Sequence, residues 1–251
     1  MYQIEMHQMT PAFHACWVAA GNHLDRQVDG GIKSWLRAHP YPPWLEHLSF
    51  RLGNQLFFVR IVDVDRKVTG PGNPRGAITA AGKANGIACV MPMKRSWTGK
   101  WSPDMPGWGL LDEHTGRPVD PVALVTDEKI EMTAWERQDI AVQAVRDDLA
   151  KSGFRLDSWQ GNPEIDPAIW FVGKSGGLEW VVVRTVMFPA TRAERPAHWA
   201  AIVANTARVS KVGHFASVAL VSADQDFARP DAPPHPLWRG YGMYVNYEGL
   251  E

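Results

Sequence analysis

Cysteine is nearly absent from this chain: only Cys16 and Cys89 occur in 251 residues. Two are too few for a disulfide framework, so reduced thiols and a cytoplasmic setting are the expectation. Long apolar runs are missing as well. The stretch from Ala15 to Ala20 is ended by Asn22, His23 and Asp25. It is too short for a signal peptide core or for the ~20 residues that span a bilayer. Surplus charge of either sign is also lacking. Lys plus Arg is 26 and Asp plus Glu is 27, for a net charge of −1. Whole-molecule attraction to a polyanion is therefore excluded, and any nucleic-acid binding needs a local patch. The nine histidines show no metal-ligand spacing such as HExxH, and neither CxxC nor the GxSxG elbow of serine hydrolases occurs.

What is abundant is tryptophan: 12, against 5 Tyr and 9 Phe. An indole buries a large area yet keeps an N–H that wants an acceptor, so it suits cores, interfaces and stacking platforms. With 45% hydrophobic and 21% charged residues the chain is an ordinary folded one.

The region 1–127 reads as mixed and loop-rich. Helices are expected over Ala12 to Leu24 and over Ile32 to Ala38, the latter stopped by Pro40, Pro42 and Pro43. Gln55 to Val64, rich in aromatic and β-branched residues, reads as a strand, and so does Gly86 to Met93. The Gly/Pro cluster Gly70 to Gly76 reads as a loop. With few strands and long loops, this region is expected to pack on its neighbour and not to stand alone. No internal repeat shows in the residues.

Region 128–222 is more regular. Thr133 with Glu136 forms a capping box that starts a helix running to Ser152, with Gly153 as its left-handed cap. Trp135, Val142, Val145 and Leu149 fall on one face of it. Phe154 to Trp159 and Ala168 to Val172 read as strands, followed by a turn at Lys174 to Gly177. Glu179 to Val186 reads as a strand buried on both faces. A second helix carries Trp199, Ile202, Val203 and Thr206 and is ended by Gly213. Phe215 to Val221 is a further strand. The segment 223–251 is Pro-rich up to Pro236, then aromatic from Leu237 to Tyr247, and is expected to pack back as an extended segment.

The fold class is therefore α+β, with a C-terminal αβββαβ core. That order over residues 133–221 resembles the restriction-endonuclease-like, or PD-(D/E)XK, nucleases. The resemblance implies an acid opening the second strand and an acidic-x-Lys element on the third, together holding Mg²⁺ and polarising a water. Asp166 stands where the first acid belongs. Arg184 takes the lysine's place, and the acidic position two residues earlier is Val182. As metal ligands the resemblance offers Asp166 with Glu164 or Glu136, and as catalytic groups Asp166, Glu179 and Arg184. Two plainer roles stand beside these: a turn position before Pro167 for Asp166, and the capping box for Glu136. Arg is bulkier and more diffuse than Lys and donates no proton near neutrality. With Val182, this favours a fold that binds nucleic acid or a protein partner without cutting and without a cofactor. The alternatives are a Mg²⁺-dependent nuclease with a rearranged site, or an adaptor or inhibitor acting only through a protein interface.

Gly173-Lys174-Ser175 ends like a phosphate-binding loop, but Ala168 stands where its first glycine is needed, between two strands. The remaining candidate is Lys94, Arg95, Trp97, Lys100 and Trp101, with Trp108 following: cations interleaved with indoles can follow phosphates while bases stack. The same tryptophans could instead cover a domain junction.

Overall fold

The computed structural model describes residues 10–36, 47–70, 74–229 and 233–251. It divides into two compact units, Met1–Glu128 and Lys129–Glu251. The fold is α+β, and each unit has its own mixed sheet. Among the described residues no helix is long and apolar enough to cross a membrane.

In the first unit, α1 (Pro11–Asp25) starts where the Thr10 hydroxyl accepts the Phe13 amide at 3.2 Å and Pro11 occupies the first turn. Phe13, Cys16, Trp17, Ala20 and Leu24 recur at helical spacing and are all buried. Strands β1 (Ser34–Trp35), β2 (Leu48–Leu52) and β3 (Gln55–Asp63) form an antiparallel meander. After α2 (Pro74–Lys83), β4 (Ile87–Arg95) runs parallel to β3. Strands β5 (Trp101–Pro103) and β6 (Leu110–Asp112) both pair with β4, and β7 (Pro118–Val119) pairs with β6 before the single turn α3 (Pro121–Leu124). Phe13, Trp17, Leu48, Phe50, Phe57, Val59 and Met91 share one core.

Three expectations change here. Ser34 and Trp35 are strand, not helix; Arg37 to Pro43, and Trp44, lie outside the described residues. Gly30 and Gly31 take positive φ, and the Asp25 carboxylate accepts the Ile32 amide at 2.8 Å. Those contacts send the chain away from helix and set Trp35 edge-on to Phe50, with ring centroids 5.8 Å apart. Gly76 lies inside α2, because Pro74 serves as a helix opener there and the alanines following it propagate the helix; residues 71–73 lie outside the described residues. Finally, where few strands were expected, the described residues of the first unit form seven.

Cys16 and Cys89 are both buried free thiols in that unit. Burial, with the nearby charge of Asp63, pushes Cys16 up to about 12. Burial also pushes Cys89 up to about 12, with help from Asp112 and Glu113. Neither is expected to react with a thiol reagent such as DTNB in the folded chain, and both should titrate in denaturant. One fast-reacting thiol in the native protein would contradict this.

In the second unit, α4 (Ala134–Lys151) carries the complete Thr133–Glu136 capping box and ends at Ser152 and Gly153, the latter at φ +83. Strands β8 (Arg155–Trp159), β9 (Ile169–Val172) and β10 (Leu178–Met187) form an antiparallel meander. Then α5 (Trp199–Thr206) leads to β11 (Gly213–Ser222), parallel to β10, and β12 (Met243–Tyr247) lies antiparallel outside β11. Val181 and Val183 of β10 pack in one core with Val142, Val145 and Leu149 of α4. Trp180 and Val182 pack on the opposite side with Ile202 of α5 and Phe215. Gly213 does not end α5, which stops at Thr206. It opens β11, where a Cβ would collide with the Trp180 ring.

Both units run through one plan: a helix, a three-strand meander, a helix, a strand parallel to the third, and an antiparallel strand outside it. The register agrees as well. In each unit the third residue of the long strand, Phe57 or Trp180, stands opposite the first of the parallel strand, Ile87 or Gly213. A repeat that the residues do not show is thus present in the topology, since many hydrophobic patterns satisfy one strand order.

Candidate functional site

Asp166 closes the loop before β9, and its side chain is 8% exposed. Both of its oxygens are taken by the planar fork of Arg184, one of them at 2.9 Å. His198, just ahead of α5, adds a contact of 3.3 Å from its Nε2 to Asp166 Oδ2. Such a two-pronged pairing is the geometry a guanidinium favours. The residue offered by the resemblance as first acid is therefore paired, through both oxygens, with the one offered in the lysine's place.

The remaining acids are dispersed. Alternate residues of a strand face opposite sides. Arg184, two beyond Val182, lies on the α5 side, while Glu179, two before Val181, lies on the α4 side. There Glu179 meets His214 at 2.7 Å. Glu136 is 6% exposed and joined at 2.8 Å by both Nε and Nη2 of Arg239, itself 1% exposed. Its Oε2 also accepts the Thr133 amide at 2.9 Å. Glu164 is exposed in the loop before β9, where its amide bonds the Asn162 side chain. Val182, at the position where the resemblance would call for an acid, is fully buried.

Of the candidate catalytic and metal residues, the structure brings Asp166 and Arg184 together, while Glu179 meets His214 and Glu136 meets Arg239. Among the described residues no three His, Cys, Asp or Glu side chains are grouped to hold a metal ion. The donor set does not fit Mg²⁺: it offers one carboxylate already neutralised by a guanidinium, and a valine beside it. The partners of these acids carried no signal in the sequence. His198, His214 and Arg239 are single residues with no spacing that links them to their carboxylates.

The second candidate lies at the β4–β5 hairpin of the first unit. Its turn is locked. The Ser96 amide bonds Lys100 O at 2.8 Å, the Gly99 amide bonds Ser96 O at 2.9 Å, and Ser96 Oγ reaches Thr98 Oγ1 at 2.8 Å. Arg95 Nε closes the turn on Gly99 O at 3.2 Å, and Gly99 sits at φ +86. On this turn Trp97 is 98% exposed. Lys94, Arg95 and Lys100 are exposed around it, and Lys94 makes a surface pair with Asp104 at 3.1 Å. The other two indoles belong elsewhere. Trp101 packs half-buried on the first unit's core, and Trp108 is buried and stacked on Phe50 at 6.3 Å. One ring, not three, is presented to solvent.

A family profile described as Domain of unknown function (DUF8840) matches residues 135–251, from the first turn of α4 to the end of the chain. No curated protein matches the chain, and no solved structure does.

Proposed function

We propose that this is a non-catalytic protein with a nuclease-like core, and that it binds single-stranded nucleic acid through the Trp97 hairpin. The observation that carries the reading is Trp97 itself. An indole 98% exposed at the tip of a hydrogen-bonded turn, on a hairpin that also carries the exposed Lys94, Arg95 and Lys100, is a stacking surface with phosphate-binding charge on the same hairpin. Local charge suits a chain whose net charge is −1. The αβββαβ order with β11 parallel to β10 supports the nuclease-like reading of the core. Saturation of Asp166 by Arg184 supports the absence of cleavage. The buried free thiols support a reducing, cytoplasmic setting.

Trp97→Ala is expected to weaken binding of a fluorescent single-stranded oligonucleotide by about 1–3 kcal/mol. With three cations engaged, log affinity should fall against log salt with a slope of about −2. Asp166→Asn should leave affinity unchanged. Failure to bind at low salt would overturn the reading in favour of a protein interface. Mg²⁺-dependent cleavage of the oligonucleotide, lost in Asp166→Asn, would overturn it in favour of a nuclease.

A further inference from the structure

We infer that the outer edge of β12 is a pairing surface for a second copy of this chain, joining two second-unit sheets across a two-fold axis. This stands apart from the Trp97 hairpin and does not depend on it. An edge strand presents a row of backbone N–H and C=O groups that another strand can pair with, and proteins blunt such edges. Every other edge among the described residues is blunted. Strands β1 and β7 have two residues each, β7 begins with Pro118, and β5 ends in Pro103. On the far side of the second sheet, β8 carries exposed Arg155 and Asp157 and an irregularity between Leu156 and Ser158.

Strand β12 has none of these devices. It reads Met-Tyr-Val-Asn-Tyr, with no charge and no proline, and among the described residues it ends the sheet order with only β11 beside it. Tyr244 is 59% and Val245 41% exposed. The first unit shows what is missing. There the corresponding outer strand, β6, is itself covered by β7, with Leu110 opposite Val119. In the second unit the same place in the plan is open.

The occupant follows from the strand's own chemistry. Antiparallel pairing of two copies centred on Val245 sets Val245 against itself, Tyr244 against Asn246 and Met243 against Tyr247. Each pair is uncharged, and a valine pair and a methionine–aromatic pair are favourable neighbours across strands. No like charges meet, which is the condition a self-pairing edge must satisfy.

Sedimentation velocity of the full chain over a concentration series is the test. The expected result is a reversible monomer–dimer equilibrium. Val245→Lys should raise the dissociation constant by roughly tenfold or more, because two like charges then meet at the axis. Val245→Thr, which keeps strand propensity without charge, should retain the dimer and so separates the edge from any effect on folding. Hydrogen exchange at residues 243–247 should slow with concentration in the unaltered chain and not in Val245→Lys. A chain that stays monomeric throughout the series would overturn the inference. So would a dimer that Val245→Lys leaves intact.

Discussion

Replacing Glu136 with alanine is expected to destabilise the protein by about 3–5 kcal/mol. Two separate losses combine. The first is the capping box, in which Glu136 Oε2 accepts the Thr133 amide at 2.9 Å; losing a cap costs ~1 kcal/mol. The second is larger. Arg239 is 1% exposed and reaches both Glu136 oxygens at 2.8 Å, so the alanine leaves a buried guanidinium without its carboxylate. Urea denaturation followed by circular dichroism measures the sum. Thr133→Ala removes only the hydroxyl's share of the cap and sets the smaller scale. The double variant Glu136→Ala with Arg239→Met should recover much of the loss, since it removes the buried guanidinium that faced the carboxylate while keeping volume. If Glu136→Ala costs no more than Thr133→Ala, the pair contributes nothing and the account of α4's anchorage is wrong.

Trp180→Ala should cost a similar ~3–5 kcal/mol, by a different route. Trp180 is fully buried on β10, its ring lies over Gly213, and its Nε1 donates to Ser210 O at 3.2 Å. Truncation opens a cavity between the sheet and α5 and leaves a buried carbonyl without that donor. Trp180→Phe keeps part of the volume and should fall between the alanine variant and the native chain. Trp97→Ala is the internal contrast. It removes the same side chain from a surface turn, and its effect on stability should stay within about 0.5 kcal/mol. Equal losses at Trp97 and Trp180 would mean that burial does not set the cost, and would contradict both assignments.

How much of this was legible depended on how local the signal was. The capping box of α4 needs only residues three apart, and its helix is found as expected from Thr133 to Ser152. The strand at Gln55–Asp63 announced itself by β-branched and aromatic content, and the apolar run in β10 by its need for cover on both faces. Helix α2 was hidden because Pro and Gly at its start look like loop chemistry, although proline is at home in a first turn. Strand β1 was hidden because two residues carry no period, and only pairing with β2 makes them a strand.

The site was less legible than the fold. Asp166 and Arg184 were both singled out, yet their meeting as an ion pair depends on a strand and a loop 18 residues apart. Glu136 and Arg239 are 103 residues apart. The exposed tryptophan was recognisable as one of three loop indoles, but nothing local separates Trp97 from Trp101 and Trp108. Those two are claimed by the first unit's core.

By itself, the sequence determined the α+β class, the caps and periods of the long elements, and the absence of a charge surplus. All of these are set by neighbours within a few residues or by composition, so no other part of the chain can alter them. The tertiary structure alone decided which carboxylate meets which cation, which indole remains in solvent, that both units share one plan, and that β12 ends its sheet among the described residues. Each of those is a statement about groups far apart in the chain. Their proximity is set by the packing of the hydrophobic cores, to which no short stretch of sequence has access.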